Sequence, residues 1–452
     1  MEKLTIREVA AALGVSYAVD GEITSLCTDS REACPGAIFI ALRGERVDGH
    51  DYIRAALEKG AICAVAERAG DYPTERVLLV KNSLTALMDI AGYYRSKHRV
   101  KVVGITGSVG KTTTKDMVAA VLETSYNSIK TQGNQNNEIG GPKTMLAIGS
   151  DTQAAVIEMG MSAPGEIRAL AMAAHPCVGV ITNIGVSHIE LLGSRENILK
   201  AKLELADCLP DDAPLLLCGD DELLAEVRIP RLKVIYYGLE GKNNEIRGTI
   251  TGEADGRLYF DIHYRGAVYP ASVPGIGKHL ALAALAAFGV GMQLGVVPEK
   301  AAAALAGYQP SGMRQKIVRH RDITVVEDCY NASPDSISAA IDALRDFPTR
   351  GRRILVLSDM LELGAFAEES HRRIGWQAGC AGIDRLMACG ELSRFYIEGA
   401  REKGMEQALY FDSGEQLMEV LVREAKPEDV IWFKASRGMH LEEWIAYLYA
   451  HY

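Results

Sequence analysis

The stretch Lys101-Val-Val-Gly-Ile-Thr-Gly-Ser-Val-Gly-Lys-Thr-Thr-Thr114 decides the fold of this chain. The β-branched run at residues 100–105 predicts a buried strand, and residues 115–124 predict a helix. A glycine-rich turn lies between the two. Strand, turn and helix N-terminus together predict a phosphate cradle, because inward-facing backbone N–H groups and the helix dipole both favour an anion.

The turn departs once from the common pattern G-x-x-x-x-G-K-[ST], with Ile105 in place of the first glycine. We interpret it as an ATP site in which Lys111 adds a point charge and Thr112 offers its hydroxyl to Mg²⁺. An ordinary glycine-rich turn before a helix is the alternative interpretation. The predicted nucleotide-binding residues are Gly107, Ser108, Val109, Gly110, Lys111, Thr112 and Thr113.

Length and composition narrow the class of protein. A chain of 452 residues is too long for one compact core, so about two to four domains are expected. The net charge of −10 argues against a nucleic-acid partner or an anionic membrane surface. The sequence also lacks a signal region and any apolar run of about 18 residues, so no membrane span is predicted. Nine scattered cysteines without Cys-x-x-Cys predict free thiols and a cytoplasmic location.

Alternating strand and helix patterns predict an α/β fold in three domains. Residues 1–98 predict a small N-terminal α/β domain. Residues 99–311 predict a central ATP-binding domain with a mostly parallel sheet and an antiparallel β extension at 243–273. Residues 312–452 predict a Rossmann-like C-terminal domain that lacks the G-x-G-x-x-G fingerprint. Ligands of such sheets bind at the carboxyl ends of the strands.

Two side chains at predicted strand ends of the central domain suit a metal ion. Glu158 ends the strand at 154–159, and His188 follows the strand at 177–184. Mg²⁺ prefers oxygen ligands and keeps waters, and an imidazole is a less usual partner. The alternative is a carboxylate and an imidazole that are satisfied by backbone groups.

Two loops offer polar groups to a ligand. Residues 131–142 are dense in Asn and Gln, which can donate and accept many hydrogen bonds. Ser30-Arg31 precedes a glycine-rich loop and could hold a phosphate, because Arg grips phosphate oxygens in a fork. An ordinary surface turn remains the alternative for Ser30-Arg31.

Taken in order, these segments resemble the Mur ligases of peptidoglycan synthesis over nearly the whole chain. The phosphate loop and the Glu/His pair are shared by Mur and folylpolyglutamate-type ligases. The asparagine loop, Asp328-Cys-Tyr-Asn-Ala332 and Asp359-Met-Leu-Glu-Leu-Gly364 resemble the member that adds a D-alanyl-D-alanine dipeptide. The other segments that carry the resemblance are residues 28–31, 39–44, 48–50, 158–160, 182–185, 187–190, 201–202 and 434–439.

The resemblance implies an ATP-dependent ligase that joins D-Ala-D-Ala to UDP-N-acetylmuramoyl-tripeptide. The tripeptide carboxylate would take the γ-phosphate to form an acyl phosphate, and the dipeptide amine would displace the phosphate. This reaction belongs to cytoplasmic cell-wall precursor synthesis, on which cell shape and division depend. The resemblance also implies one or two Mg²⁺ ions, a monomer, and domain closure around the small-molecule substrates.

The resemblance assigns roles residue by residue. The catalytic residues would be Lys111, Glu158, His188 and Lys202. The metal ligands would be Thr112, Glu158, His188 and Lys202, with Lys202 carbamylated. Arg314 and Asp328 would contact the phosphate and ribose of the nucleotide. The substrate-binding residues would be Ser30, Arg31, Thr131, Asn137, Asn331, Lys434, Ser436 and Arg437.

Several alternatives stay open. Leu280 and Ala283 stand where asparagines are common in the family, which leaves the adenine contact undecided. A sibling Mur or folylpolyglutamate-type ligase, or a nucleotide-binding protein without catalysis, are the alternative functions. The sequence does not distinguish diaminopimelate from lysine at the third peptide position. An NAD-dependent enzyme is excluded because the dinucleotide fingerprint and its acidic partner are missing.

Overall fold

The computed structural model describes residues 1–17, 20–44, 46–187 and 189–452. These residues form an α/β protein with sheets of two, four, nine and six strands. Within these ranges, no helix combines the length and the apolar character that crossing a membrane requires.

The N-terminal domain contains a four-stranded parallel sheet of order β3-β4-β5-β6. Its α3 packs on two central-domain helices, α5 (Gly140–Leu146) and α6 (Glu166–Ala174), and the Tyr94 hydroxyl donates to the Ile148 carbonyl at 2.6 Å. The elements of this domain are β1 (Leu4–Thr5), α1 (Ile6–Ala12), β2 (Glu22–Ile23), β3 (Ser25–Cys27), β4 (Ala37–Ile40), α2 (Ile53–Glu58), β5 (Cys63–Ala66), β6 (Val77–Leu79) and α3 (Ser83–Ser96).

The central domain contains the nine-stranded sheet, of order β15-β14-β13-β12-β11-β10-β7-β9-β8. Its strands and helices are β7 (Lys101–Thr106), α4 (Lys111–Glu123), β8 (Ser128–Lys130), α5 (Gly140–Leu146), β9 (Ala154–Glu158), α6 (Glu166–Ala174), β10 (Val178–Ile181), α7 (Ile189–Leu192), α8 (Arg195–Asp207), β11 (Pro214–Cys218), β12 (Lys233–Gly238), β13 (Ile246–Ala254), β14 (Arg257–Tyr264), β15 (Ala267–Pro274), α9 (Lys278–Leu294) and α10 (Pro298–Ala304).

The pairing in this sheet confirms a mostly parallel core with an antiparallel extension. All neighbours from β8 to β13 are parallel, whereas β13, β14 and β15 pair antiparallel. The hairpin turn between β13 and β14 falls at Asp255 and Gly256, both with positive φ. The β extension therefore continues the central sheet at one edge.

The helix after the phosphate loop starts earlier than the sequence predicts. It begins at Lys111 rather than at 115, after Gly110 with φ 80°. The Thr114 N–H donates to the Gly110 carbonyl at 2.9 Å, so the threonine-rich segment is already helical. Threonines have low helix propensity, and tertiary packing outweighs it here. Lys111 and Thr112 therefore lie in the first turn of α4, where the helix dipole is strongest.

The C-terminal domain contains the six-stranded sheet, of order β16-β17-β21-β18-β19-β20. The four strands predicted in this domain are confirmed, but β16 pairs antiparallel with β17 and its short charged sequence was not predicted as a strand. The elements are β16 (Lys316–His320), β17 (Ile323–Glu327), α11 (Pro334–Asp346), β18 (Arg353–Leu357), α12 (Ala367–Cys380), β19 (Arg385–Cys389), α13 (Arg394–Glu402), β20 (Ala408–Phe411), α14 (Gly414–Glu424), β21 (Val430–Lys434) and α15 (Leu441–His451).

Candidate active site

The phosphate loop lies between β7 and α4 and is shaped by glycine. Gly107 has φ 151°, and a Cβ atom there would lie 1.8 Å from the Thr182 hydroxyl. Gly107 therefore cannot be replaced without moving the end of β10. The loop sits at the carboxyl ends of the parallel strands, which is where this type of sheet binds ligands.

The chain that follows β10 fixes the shape of the phosphate loop. The Val109 N–H donates to Asn183 Oδ1 at 2.9 Å, and the Thr182 hydroxyl donates to the Val109 carbonyl at 2.6 Å. On the other side, the Gly185 N–H donates to Ser108 Oγ at 2.9 Å. These bonds fix the conformation of the loop through groups of the protein itself, so the cradle is preorganised.

Lys111 holds its ammonium group inside the loop. Its Nζ donates to the carbonyls of Gly107 at 2.8 Å and Ser108 at 3.1 Å. Burial lowers the pKa of Lys111, the Glu158 carboxylate opposes this shift, and the Arg314 guanidinium adds to it. Two cationic side chains therefore meet at the loop, and an anionic ligand would relieve their repulsion.

Glu158, at the end of β9, is held on one oxygen only. Its Oε1 accepts from the Thr112 hydroxyl at 3.1 Å and from Asn136 Nδ2 at 2.8 Å. Its backbone N–H donates to the Thr131 hydroxyl at 3.1 Å. Oε2 is buried and has no hydrogen-bond partner in the described part of the chain. A buried carboxylate oxygen that accepts no hydrogen bond is costly and favours a nearby positive charge, and Lys115 Nζ lies 3.8 Å from Oε2.

The donors at Glu158 fit Mg²⁺. A carboxylate oxygen, a threonine hydroxyl and the oxygens of a bound phosphate are the ligands that Mg²⁺ uses in phosphate sites. The predicted ligand His188 lies outside the described residues, whereas Ser187 before it lines the cavity. Among the residues that the structure describes, no three His, Cys, Asp or Glu side chains form a ready-made metal site.

Lys202 is fully buried on α8. Burial, together with the nearby positive charge of Lys111, holds its pKa well below the usual 10.5. Across the described ranges, no carboxylate forms an ion pair with Lys202. The neutral amine is therefore less disfavoured at this position than at an exposed lysine.

A cavity of about 540 Å³ joins the phosphate loop to the C-terminal domain. On the C-terminal wall, Asp328 Oδ2 accepts from Lys434 Nζ at 2.8 Å and from Trp432 Nε1 at 3.3 Å. The Arg314 guanidinium stacks on the Tyr330 ring at 3.5 Å. The predicted site residues that line this cavity are Ser108, Val109, Gly110, Lys111, Thr112, Thr113, Glu158, Arg314, Asp328, Asn331, Lys434, Ser436 and Arg437.

Some predicted substrate contacts instead have partners within the protein. Thr131 is buried under Glu158, and Asn137 Oδ1 accepts from the Ile139 and Gly140 N–H groups at the start of α5. A substrate contact by either residue stays a prediction. Asn134 and Asn136 are the asparagines of this loop that line the cavity.

Ser30 and Arg31 lie on the N-terminal domain and are not part of the cavity lining. Arg31 forks onto the Asp29 carboxylate at 2.6 Å, and this bond lowers the pKa of Asp29 to about 2. The Arg31 side chain is otherwise exposed. It could reach a phosphate in solvent, which keeps the predicted UDP contact a prediction.

Asp335 is a residue that the sequence analysis missed. Its Oδ2 accepts from the Val186 N–H at 2.9 Å, which joins the C-terminal domain to the segment that holds the phosphate loop. A Cβ at Gly185 would lie 2.0 Å from the same oxygen. In the sequence, Asp335 reads only as an acidic residue in the first turn of a helix.

The far end of the cavity is mostly apolar. Cys218 and Tyr237, at the ends of β11 and β12, and Leu280 and Ala283 of α9 line it. β11 lies two strands from β7, about 9.6 Å at the usual strand spacing. His279 is a polar side chain here, also missed from sequence, and burial lowers its pKa to about 4. This end suits a flat, weakly polar ring.

Comparison with known families gives three consecutive matches. The family models are the Mur ligase family catalytic domain at residues 22–95, the Mur ligase middle domain at 105–291, and the Mur ligase glutamate ligase domain at 313–437. The UDP-N-acetylmuramoyl-tripeptide–D-alanyl-D-alanine ligase of Bacillus subtilis is 40% identical over 93% of this chain and 92% of its own length. The chain belongs to the Mur ligase family.

Other relatives of this Mur ligase also match it over most of its length. The ligase of the same name from Escherichia coli is 32% identical over 87% of each chain. A MurF crystal structure from Acinetobacter baumannii superposes with a TM-score of 0.93 at 27% identity, covering 100% of this chain and 99% of its own. MurF from Thermotoga maritima in complex with ADP gives 0.86 at 28% identity, covering 94% and 97%. The predicted three-domain α/β class is thereby confirmed, while the boundaries at 98/99 and 311/312 stay predictions.

Proposed function

We propose that this Mur ligase uses ATP to join D-alanyl-D-alanine to UDP-N-acetylmuramoyl-tripeptide in the synthesis of peptidoglycan precursors. The observation that carries the proposal is the single cavity lined by Lys111, Glu158, Arg314 and Lys434. This cavity combines the phosphate-binding loop of the central domain with the cationic side chains of Arg314 and Lys434 from the C-terminal domain. Near-complete alignment with relatives named for this reaction supports the assignment.

The chemistry follows from the weakness of a carboxylate as an electrophile. A tripeptide carboxylate oxygen attacks the γ-phosphorus of ATP, and the bond to ADP breaks. The dipeptide amine then attacks the acyl carbon of the acyl phosphate, loses a proton, and phosphate leaves. The protein positions the reactants and neutralises charge, which is the work of the phosphate loop, Lys111 and Arg314.

Thr112 and Glu158 would hold Mg²⁺ together with the phosphate oxygens of the nucleotide. When bound, Mg²⁺ neutralises charge on those oxygens and favours transfer of the γ-phosphate. We assign His188 to the same centre from the sequence, and one or two ions could be bound there.

We further propose that Lys202 is carbamylated. A neutral amine attacks the carbon of CO₂, a new N–C bond forms, and one amine proton is released to leave a carbamate anion. Burial and the neighbouring Lys111 favour that neutral amine. The carbamate would replace repulsion of Lys111 by attraction, and it would supply oxygen atoms for a metal. ¹³C-bicarbonate should label wild type in an NMR spectrum and leave Lys202→Met unlabelled.

The remaining roles rest on motif matches. Ser30 and Arg31 would bind the UDP end, and Thr131 and Asn137 the muramoyl peptide. Arg314 and Asp328 would contact phosphate and ribose, with the adenine in the apolar end of the cavity. The residues proposed to bind the dipeptide are Asn331, Lys434, Ser436 and Arg437. We propose a cytoplasmic monomer.

Phosphate release tests the proposed reaction. Purified enzyme with ATP, tripeptide substrate and D-Ala-D-Ala should release phosphate and form the pentapeptide product. Omission of either substrate should remove product formation. If single amino acids or glutamate support product formation and D-Ala-D-Ala does not, the chain is a sibling ligase. A comparison of lysine and diaminopimelate tripeptides would identify the third residue.

A further inference from the structure

A second lysine lies buried behind the phosphate loop, and neither the predicted site nor the proposed mechanism uses it. Lys115 is 1% exposed. Its Nζ lies 3.5 Å from Asp116 Oδ1 and 3.8 Å from Glu158 Oε2. Lys130 approaches the same Asp116 oxygen at 2.8 Å. Two lysines and two carboxylates therefore form one cluster under the candidate metal site, of which Lys130 is the partly exposed member.

The first turns of α4 bring this cluster together. Thr112, Lys115 and Asp116 are spaced i, i+3 and i+4, so they share one face of the helix. That face lies against β9, which ends in Glu158, and against β8, which ends in Lys130. The same helical face thus presents a hydroxyl to Glu158 Oε1 and an ammonium to Glu158 Oε2.

Among the described residues, Lys115 is the cation within ion-pair distance of Glu158, at 3.8 Å, and Lys111 adds a longer-range positive charge. Oε2 has no hydrogen-bond partner among the described residues, so the ion pair with Lys115 is what compensates it. Lys130 contacts Asp116 and not Glu158. A buried carboxylate needs such compensation, because an unpaired charge is strongly disfavoured away from water.

The same cation opposes a metal ion. A divalent ion at Glu158 would share the carboxylate with Lys115 and would also meet the ammonium of Lys111. Like charges this close in a poorly solvated site repel strongly. The negative charges of a nucleotide triphosphate would offset that repulsion.

We propose that Lys115 is a positioning residue for Glu158 and an internal counter-cation that prevents a divalent ion from binding the site without nucleotide. The inference rests on the proposed Mg²⁺ site. Metal and nucleotide then enter together, and the empty enzyme keeps Glu158 paired with Lys115. Lys115 acts through Glu158 and needs no contact with substrate.

Mn²⁺ serves as the probe, with free ion measured by electron paramagnetic resonance during titration of the full chain. Without nucleotide, Lys115→Met should bind Mn²⁺ at least ten-fold more tightly than wild type. Lys115→Arg keeps the cation and should behave like wild type. Lys130→Met is the matched control, because it removes a cation from Asp116 alone, and its affinity should stay within about three-fold of wild type.

Two further variants keep the test decisive. If Lys115→Met does not fold, the double variant Lys115→Met/Asp116→Asn removes the lysine and its adjacent carboxylate together and should show the same gain. Adding Glu158→Gln to Lys115→Met should abolish the increase in Mn²⁺ affinity. That result would exclude the explanation that the extra Mn²⁺ binds elsewhere on the acidic surface. Folded variants that bind Mn²⁺ no more tightly than wild type would overturn the role of Lys115.

The outcome also separates this inference from the proposed function. One outcome is that wild type binds Mn²⁺ together with a non-hydrolysable ATP analogue while Lys115→Met binds Mn²⁺ no more tightly than wild type in the absence of nucleotide. In that case only the counter-cation role is wrong. If wild type binds no Mn²⁺ even with the analogue, the proposed metal site is wrong and this inference is overturned with it.

Discussion

Two buried lysines flank the phosphate loop and have opposite surroundings. Lys115 is 1% exposed and Lys202 is 2% exposed. Lys115 lies within 4 Å of the carboxylates of Asp116 and Glu158. Lys202 has the cationic Lys111 as its charged neighbour, and burial holds its pKa well below 10.5.

The difference shows that burial alone does not determine what a lysine does. A buried ammonium with carboxylates around it is a fixed positive charge that holds them in place. A buried amine beside another cation loses its proton readily and becomes a nucleophile. We therefore propose that lysine serves as a counter-cation on the β9 side of Lys111 and as a reactive amine on the α8 side.

The largest expected effect is on activity when Lys202 is changed. Lys202→Met should lower kcat by about 10³-fold or more, since it removes the amine that we propose becomes a metal-binding carbamate. Phosphate release under saturating substrates measures this loss. Lys200→Met on the exposed side of the same helix is the matched control and should keep near wild-type activity.

The two lysine variants should also differ in stability. Lys202→Met should unfold at a temperature no lower than wild type, because the substitution removes a disfavoured buried amine. A Lys202→Met variant with full activity would show that the amine has no catalytic part. A Lys200→Met variant with the larger loss would move the role to the exposed neighbour.

The next effect is on folding stability when Lys115 is changed. Lys115→Met should lower the free energy of unfolding by about 3–5 kcal/mol, because it leaves two buried carboxylates with one cation between them. Denaturant unfolding followed by circular dichroism measures the change. Lys115→Arg should retain most of the stability. An unchanged midpoint for Lys115→Met would mean that the cluster is better solvated than its burial indicates.

The local sequence pattern predicts the cavity residues of the central domain but not those of the C-terminal domain. The central-domain wall was predicted because the phosphate loop is contiguous and its spacing carries a mechanism. Asp328 and Lys434, on the C-terminal wall, were assigned through resemblance, since no local pattern relates residues on separate strands. The ion pair between them becomes visible only when β17 and β21 are neighbours.

The sequence also did not predict several contacts and element boundaries around the phosphate loop. Asn136, to which the sequence analysis gave no role, donates to Glu158, whereas Asn137 accepts from the Gly140 N–H and its predicted contact with the muramoyl peptide stays a prediction. Lys115 reads as an ordinary helix lysine because its partner Glu158 is distant in sequence. The early start of α4 and the antiparallel β16 were missed because short polar segments take their structure from packing.

A third effect is on the pH dependence of stability. A lysine with a lowered folded pKa binds fewer protons in the folded state than in the unfolded state. Folding is therefore penalised below the unfolded pKa, and the penalty disappears as pH rises towards 10.5. In CO₂-depleted buffer, Lys202→Met should therefore have a larger free energy of unfolding than wild type at pH 7.5, and this difference should shrink by pH 10.

Unfolding midpoints of wild type and Lys202→Met across that pH range measure the trend. A gain that stays constant with pH would mean that Lys202 is not the titrating group. Adding bicarbonate should reduce the gain, because carbamylation replaces the disfavoured amine in wild type. Lys115→Met should show no such response to bicarbonate.

The smallest effect concerns Lys130, the more exposed partner of the buried cluster. Its side chain is 34% exposed, whereas Asp116 is 3% exposed. Lys130→Met should cost about 1 kcal/mol, because solvent screens the lost pair and Lys115 still compensates Asp116. Denaturant unfolding beside Lys115→Met measures the ratio. Equal losses for the two variants would mean that Asp116 is the carboxylate that needs a cation and that Glu158 does not, which would remove the basis for assigning Lys115 to the metal site.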